Sequence, residues 1–328
     1  MFKNTFLFIT AFLAATSASN GYGSTDSLKG NVNAATFLDW FSNAERYLHV
    51  NGLIALDFIP LLFLIIQTVL FYKDGKKVKG LFAGLALLAN LIGVFLVMQY
   101  AYPIAAQMTA WTPDNVPSDW ILLKDEWINY VGLHGLLGMF GWLCFVITFF
   151  VSETGNEAVK RLPRFLNFSK NALAFFLTFM LGLGAARLYE FCFFPFQYEI
   201  SGTTFIEMHR PLDLAMRKVG PILFPFIVTL LLMLATLFFV ERSKKKAWLI
   251  LAALLFLVAD TFIALQYNRP LNDLFLTWTS TTLPANWSVL RDQWLGYHLY
   301  RNIFMTLMIG CILLIYFVRE KKSVAQAV

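Results

Sequence analysis

Residues 266–302 read QYNRPLNDLFLTWTSTTLPANWSVLRDQWLGYHLYRN, and residues 99–130 read QYAYPIAAQMTAWTPDNVPSDWILLKDEWINY. The two stretches align without a gap at an interval of 167 residues. Three pairs of tryptophans match at this interval: Trp111 with Trp278, Trp120 with Trp287, and Trp127 with Trp294. Because tryptophan is rare and a fixed period is the signature of repeated architecture, we predict that the chain is a tandem duplication.

The composition of the chain predicts an integral membrane protein. Hydrophobic residues make up 58% of its 328 residues, and charged residues only 14%. Apolar runs of about 20 residues recur along it, which is the length that crosses a hydrocarbon core about 30 Å thick. We therefore predict an all-α fold with the lipid bilayer as a partner. The predicted spans cover residues 4–20, 51–72, 80–100, 131–152, 171–195, 218–240, 247–267 and 297–318.

The distribution of charge predicts the topology. Short connections such as Lys73–Lys79 and Arg242–Lys246 are basic, whereas the connections that carry the tryptophans are not. Basic connections stay in the cytoplasm by the positive-inside rule. We expect a multi-pass protein of the plasma membrane with both termini in the cytoplasm and the Trp-rich loops outside. The net charge of +6 reflects this topology and does not indicate nucleic-acid binding.

Two tandem four-helix transmembrane bundles in parallel orientation account for the eight predicted spans. The first half (residues 1–153) is a degenerate repeat. Residues 154–170 form a basic cytoplasmic linker, and the second half (residues 171–328) carries the candidate site.

The first predicted span has two interpretations. Residues 1–20 have the basic start, apolar centre and small residues of a signal peptide, and cleavage there would leave seven spans. However, Lys3 and Asn4 align with Lys170 and Asn171 at the interval of 167 residues, which favours a retained helix.

The two halves differ in their polar residues, and this difference indicates where a site lies. His209 stands where the first half has Phe41, and His298 stands where it has Val131. Four further polar residues of the second half replace Ala101, Tyr102, Ala105 and Ala106 of the first: Asn268, Arg269, Asn272 and Asp273. We therefore predict that the second half carries the site and that the first half is structural.

Charged residues inside the predicted spans have two interpretations. Arg187, Glu190, Asp260 and Arg301 each cost about 3 kcal/mol to bury in a bilayer, so we expect them to pair within the bundle. The pairs either fix the helix register or form the polar floor of an outward-facing pocket. Asp57 is a further buried charge, for which the sequence identifies no partner.

The histidines are candidates for acid–base chemistry. His209 and His298 both lie near a predicted membrane interface, where a neutral imidazole can act as a base near pH 7. Hydrogen-bonded interfacial histidines are the ordinary alternative. No HxxxH, HExxH or CxxC spacing supports a metal site. His134, at the position of Arg301, is expected to do part of the structural work of that arginine.

The tryptophans also have two interpretations. Their retention in both halves favours an aromatic belt at the outer membrane interface. The alternative is that Trp287 and Trp294 wall a cavity for a flat apolar ligand.

The second half resembles the anthrone-oxygenase-like family of small four-helix membrane proteins. The resemblance covers roughly residues 171–318 and lies in Pro270-Leu271-Asn272, Trp287, Leu290-Arg291, Trp294, His298 and Arg301, with Phe205, His209, Leu212-Asp213 and Gly220-Pro221 before them. It implies a four-helix bundle, and some fungal members oxidise anthrones to anthraquinones. The first half departs from the pattern, so only a general oxidoreductase activity is expected, and no cofactor is implied.

The leading hypothesis is an oxidoreductase or oxygenase that acts on a hydrophobic aromatic or quinone-like molecule. The candidate catalytic residues are His298, His209, Glu190 and Asp260. The candidate substrate-binding residues are Asn268, Arg269, Asn272, Asp273, Trp287, Arg291, Trp294, Arg301 and Arg187. The alternatives are a small-molecule carrier and a non-catalytic membrane subunit whose outer loops bind a protein partner, either another membrane protein or a second copy of the chain.

Overall fold

The computed structural model describes residues 2–17, 32–47, 57–151, 164–193 and 195–318. Within these residues the chain is helical and contains no strand. Its α-helices are α1 (Phe2–Ser17), α2 (Ala34–Tyr47), α3 (Ile59–Lys73), α4 (Lys77–Leu96), α5 (Tyr102–Met108), α6 (Trp120–Phe150), α7 (Arg164–Phe193), α8 (Gly202–Val240), α9 (Lys244–Ile263), α10 (Arg269–Leu276) and α11 (Trp287–Leu314). π-Helical segments at Val97–Ala101 and Ala264–Asn268 join α4 to α5 and α9 to α10, and a 3₁₀ helix at Pro195–Tyr198 precedes α8.

Several of these helices can cross a membrane, which agrees with the predicted all-α, multi-pass class. Five continuous helical stretches of the described chain are long and apolar enough: Lys77–Met108, Trp120–Phe150, Gly202–Val240, Lys244–Leu276 and Trp287–Leu314. Lys3–Ala15 and Ile59–Lys73 are shorter apolar helices.

The helices extend well beyond the predicted spans, so the Trp-rich connections are loops only over residues 109–119 and 277–286. α6 begins at Trp120 rather than at residue 131, α11 at Trp287 rather than 297, and α8 at Gly202 rather than 218. Hydropathy marks only the apolar middle of a helix, because the ends carry charges between their buried residues. α7 likewise begins at Arg164, within the predicted linker.

Structural elements recur at the interval that the tryptophans define. The first residues of α4 and α9, of α6 and α11, and of the two π-helical segments are each 167 residues apart. The packing recurs as well, since α4 packs against α3 and α6, and α9 packs against α8 and α11.

The turns Asp74–Lys76 and Glu241–Ser243, which join these helices, also match. Gly75 has a φ of 72° and Arg242 a φ of 61°, both in the left-handed region. In each turn the amide after the left-handed residue donates to a carbonyl five residues earlier, as in a Schellman motif. Arginine is strained in this conformation and glycine is not.

A lysine at the start of each half pairs with the carboxylate of the matching turn. Lys3 pairs with Asp74, and Lys170, which lies 167 residues later, pairs with Glu241 at 2.6 Å. α1 packs against α3 and α6, as α7 packs against α8 and α11. Ala11 and Ala15 of α1 are fully buried, so this helix is part of the packed core.

The buried residues form two clusters, one along the long helices and one at the tryptophan-bearing end. We call the second the cap layer. It consists of α2, α5, α10 and the N-terminal ends of α6, α8 and α11. α8 has 39 residues and is therefore about 58 Å long, against a hydrocarbon thickness of about 30 Å. α8 is therefore longer than a straight crossing of the hydrocarbon region requires.

Reciprocal hydrogen bonds join the two halves within the cap layer. Glu207 of α8 accepts from the Thr36 hydroxyl and from the Asn33 amide at 3.0 Å. Asp39 of α2 accepts from the backbone N–H of Ser201 at 2.8 Å. Asp39 is the counterpart of Glu207 and Asn33 that of Ser201, both at an interval of 168 residues. Exchange of equivalent contacts is typical of a two-fold interface.

Candidate functional site

A cluster of polar side chains surrounds Trp294 in the second half. α8 contributes His209, Asp213 and Arg217, which follow one another at four-residue intervals and so share one helix face. The π-helical segment ends at Asn268, and one turn later α10 carries Asn272. Trp294 and His298 lie one turn apart on α11.

A chain of hydrogen bonds links Asp213 to the indole of Trp294. Asn272 donates its Nδ2 to Asp213 Oδ1 at 2.9 Å, and Trp294 donates its Nε1 to Asn272 Oδ1 at 2.6 Å. Asp213 is buried, with 7% of its surface exposed. The carboxylate is therefore part of the interior of the site.

Arg217 neutralises this buried carboxylate. Its Nε donates to Asp213 Oδ2 at 2.6 Å, and its Nη2 lies 2.6 Å from Oδ1 of Asp273. Asp273 is largely exposed, so the ion-pair network runs from the protein surface to the buried Asp213. A buried charge with both oxygens engaged in this way is stable in a low-dielectric environment.

His209 lies among aromatic rings. Its ring centroid is 5.4 Å from that of Phe205, 5.3 Å from Phe275 and 5.0 Å from Trp294. The side chain is 8% exposed, and its Nε2 atom is buried without a hydrogen-bond partner among the described residues. A buried polar atom normally has a partner, so this nitrogen is a candidate contact for a ligand.

Asn268 presents a second polar atom of this kind. Its Nδ2 donates to the backbone carbonyl of Trp294 at 3.1 Å. Because a carbonyl can only accept, this contact fixes the orientation of the amide and identifies the other atom as oxygen. That oxygen, Oδ1, is buried and has no partner within the described part of the chain.

His298 contacts the same indole as His209. Its ring centroid lies 4.1 Å from that of Trp294. Arg301 donates its Nε to Asp260 Oδ1 at 2.9 Å. The expected pairing of intramembrane charges is therefore observed for Asp260 and Arg301.

The first half has an apolar cluster in the place of this site. Phe41 packs edge-on against Trp127 with their centroids 5.4 Å apart, as His209 packs against Trp294 in the second half. Ala101 and Ala105 are buried where the second half has Asn268 and Asn272.

Asp57 and His134 form a buried pair at the place in the first half that corresponds to Arg301. His134 Nε2 lies 3.1 Å from Asp57 Oδ1, and both side chains are buried. This contact supplies the partner that the sequence did not identify for Asp57.

Arg291 and Trp287 have structural partners. Arg291 pairs with Asp292 at 2.9 Å, donates to the carbonyl of Ile200 and lies over the ring of Trp287. Lys124 makes the matching contacts in the first half, with Asp125 and over Trp120. Their recurrence indicates packing rather than recognition of a ligand.

The remaining candidate residues lie outside the cluster. Arg269 is exposed at the start of α10. Arg187 and Glu190 lie on α7, but their side chains are outside the part of the chain that the structure describes.

The interpretation of the tryptophans as an interfacial belt was wrong for three of them. Trp127, Trp278 and Trp294 are 9%, 4% and 8% exposed and pack inside the cap layer. Trp127 and Trp294 lie on α6 and α11, which continue through the predicted loops, whereas Trp278 follows α10 and packs against Phe275.

Arg217 and Phe275 were not singled out from the sequence. Phe205 and Asp213 were named only as part of the resemblance, without a role at the site. The spacing of His209, Asp213 and Arg217 on one helix face was the signal that could have revealed the role of Asp213.

The comparisons with known proteins do not assign the chain to a family. No family model, no curated protein and no solved structure matches the chain. Among the described residues, no group of three or more His, Cys, Asp or Glu side chains is arranged to hold a metal ion. Function is therefore inferred from the cluster around Trp294.

Proposed function

We propose that the chain is a membrane protein of two four-helix halves in parallel orientation, and that its second half binds and oxidises a hydrophobic aromatic or quinone-like molecule. The recurrence of helix starts and of lysine–carboxylate pairs supports the duplication. The basic turns lie at the end of the helices opposite to the cap layer. The positive-inside rule therefore favours a cap layer outside the cytoplasm.

The buried Nε2 of His209 is the observation that carries the proposal for the second half. Phe41 fills the equivalent position in the first half, so packing alone requires only an aromatic ring there. A histidine at this place adds a polar atom that packing does not use. Apolar walls with a few fixed polar groups are typical of small-molecule sites.

Two histidines on one indole can serve proton transfer. His209 or His298 would take a proton from an acidic carbon of the bound molecule, and the guanidinium of Arg301 would stabilise the anion that results. Dioxygen would then accept the electrons. One of its atoms becomes a carbonyl oxygen and the other leaves as water with both hydrogens of the methylene group. The resemblance to anthrone oxygenases supports this reaction.

Ligand titration tests the binding part of the proposal. The protein in lipid nanodiscs is titrated with 1,4-naphthoquinone, and the same is done for His209→Phe, which copies Phe41 of the first half. We expect the variant to bind at least about tenfold more weakly, the effect of one lost hydrogen bond of about 1.4 kcal/mol. The matched control is Phe41→Leu, which should leave the affinity unchanged. Equal affinities for the protein and His209→Phe would refute the proposal.

Oxygen uptake tests the oxidation. Anthrone is a suitable probe because its product, anthraquinone, can be followed by absorbance while an electrode follows dioxygen. We expect anthraquinone formation and oxygen consumption in equal amounts, both lost in His298→Val, which copies Val131. Rates equal to those of heat-denatured protein would exclude an oxygenase of this type.

The position of the polar cluster favours this function over a carrier. A transporter with parallel repeats holds its substrate between them. The cluster described above is built from α8, α10 and α11, which all belong to the second half. The contacts between the halves in the cap layer include hydrogen bonds from α2 to the N-terminal region of α8 and the ion pair of Arg46 with Glu199.

A further inference from the structure

We infer that Asp213 is a positioning residue, which sets the orientation of the Trp294 indole through Asn272. The inference deepens the proposed function and rests on it for its effect on a ligand. The orientation of the indole itself can be measured whether or not a ligand binds.

The chemistry of the donors fixes the direction of the hydrogen bonds. An indole N–H can only donate, so Trp294 Nε1 must face the oxygen of the Asn272 amide at 2.6 Å. The NH₂ of that amide then faces the opposite way and needs an acceptor. An oxygen of the Asp213 carboxylate provides it at 2.9 Å, and Arg217 donates to the other oxygen.

The indole is the surface that both histidines contact. His209 and His298 pack against Trp294 with centroid distances of 5.0 and 4.1 Å. A rotation of the ring would therefore change both contacts at once. The hydrogen-bonded path from Asp213 to the indole runs through Asn272.

The first half shows that packing does not require this chain of hydrogen bonds. It keeps a carboxylate at Glu45 and an indole at Trp127, but Ala105 stands where Asn272 would join them. Trp127 is nevertheless buried against Phe41. The amide of Asn272, which joins the carboxylate to the indole, is thus an addition of the half that carries the candidate site.

Asp213→Asn is the sharpest perturbation, because it keeps the size of the side chain. The oxygen of the new amide can accept from only one of the two donors, Asn272 Nδ2 and Arg217 Nε. Because the charged guanidinium is the stronger donor, the oxygen faces Arg217, and the new NH₂ then faces the NH₂ of Asn272. If Asn272 turns, its NH₂ meets the indole N–H, which is also a donor. The exchange Asp213→Asn with Asn272→Asp removes the conflict. The new carboxylate at position 272 accepts from the indole and from Asn at 213, whose oxygen accepts from Arg217.

The test follows the indole N–H signal of Trp294 by NMR in ¹⁵N-tryptophan-labelled protein, assigned with Trp294→Phe. We expect Asp213→Asn to shift this signal and to speed its exchange with solvent at least about tenfold. The double exchange should restore both. Should Asp213→Asn fail to fold, Asn272→Ala, which copies the first half, gives the same readout with the same expected shift.

An indole signal that Asp213→Asn or Asn272→Ala leaves unchanged would overturn the inference, as would a double exchange that behaves like the single one. Titration of the same variants with 1,4-naphthoquinone separates the two proposals. If the indole responds as expected but 1,4-naphthoquinone binds none of the proteins, the positioning role of Asp213 stands and the proposed function fails.

Discussion

Nε2 of His134 lies 3.1 Å from Oδ1 of Asp57, and in the second half Nε of Arg301 lies 2.9 Å from Oδ1 of Asp260. His134 and Arg301 are equivalent residues, 167 apart on α6 and α11. Their acidic partners are not equivalent, because Asp57 precedes α3 whereas Asp260 lies on α9. Each half thus pairs the side chain at this position with one carboxylate from a different part of the chain.

Gly93 explains why the carboxylate that pairs with His134 does not lie at the position equivalent to Asp260. It occupies the position that Asp260 has in the second half, and the ring of His134 packs directly over it. A Cβ at Gly93 would lie 2.7 Å from Cδ2 of that ring. A carboxylate therefore cannot occupy this place while the histidine does.

Loss of the Asp57 carboxylate should destabilise the first half. Asp57→Leu leaves His134 buried without its partner, and we expect a loss of about 1–3 kcal/mol, the cost of an unsatisfied buried polar group. Thermal unfolding in detergent measures it. Asp114→Asn, at an exposed acid of the same half, is the control and should unfold as the unmodified protein does. A further His134→Leu change should recover part of the loss, and an unchanged midpoint for Asp57→Leu would contradict the pairing.

The left-handed turn residues should respond to substitution in opposite directions. Gly75→Ala forces a Cβ into a φ of 72°, although nothing lies within 4 Å of it, so the cost of about 1 kcal/mol is purely conformational. Arg242→Gly relieves the same strain and should stabilise the protein. The matched control for Gly75→Ala is Gly132→Ala, in open space inside α6, which should be neutral or stabilising. If Gly75→Ala and Gly132→Ala change the stability in the same direction, the left-handed conformation of Gly75 does not cause the effect.

The two lysine–carboxylate pairs should differ in strength. Lys170 and Glu241 are only 10% and 15% exposed, so Lys170→Met leaves a buried carboxylate and should cost about 3 kcal/mol. Lys3 is 60% exposed, and Lys3→Met should change the stability little. Chemical denaturation of both variants measures the difference. Equal losses would show that burial does not distinguish the pairs.

Lys3 should affect how the stability of the protein depends on pH. Its hydrogen bond holds the pKa of the Asp74 carboxyl below its ordinary value of 3.8. A lowered carboxyl pKa contributes stability above the unfolded pKa, and this contribution is lost as the pH falls through the folded pKa. Lys3→Met should therefore reduce the acid sensitivity below pH 4, which unfolding midpoints between pH 2 and 5 would detect. If the unfolding midpoints of Lys3→Met and of the unmodified protein depend on pH in the same way, Lys3 does not lower the pKa of Asp74.

The contacts between the halves should hold α2 in place. Glu207→Ala removes the acceptor of Thr36 and Asn33, so we expect the backbone amides of α2 to exchange with solvent at least about tenfold faster. Hydrogen exchange followed by mass spectrometry measures this change. Glu126→Ala, at an exposed acid in the same layer, should not alter the exchange of α2. If both variants leave α2 equally protected, the reciprocal hydrogen bonds do not hold the halves together.

The sequence repeat predicted much of the architecture. The positions at which the two halves differ predicted only part of the site. The matched tryptophans located the equivalent helices, and His209 and Asn272 stood out because Phe41 and Ala105 replace them. Asp213 was given no role at the site because Glu45 matches it, although it accepts a hydrogen bond from Asn272, an amide that the first half lacks. The partner of Asp57 was missed for the opposite reason, since comparison of equivalent positions cannot reveal a carboxylate that has moved to another helix.

The most direct measurement is photoaffinity labelling of the protein in nanodiscs with an azido derivative of 1,4-naphthoquinone, followed by peptide mapping. Binding beside His209 and Trp294 predicts labels on peptides from the N-terminal parts of α8 and α11. The equivalent peptides around Phe41 and Trp127 serve as the internal control and should carry none, and His209→Phe should abolish the labelling. Equal labelling of both halves, or labels confined to the contacts between them, would contradict a ligand site in the second half.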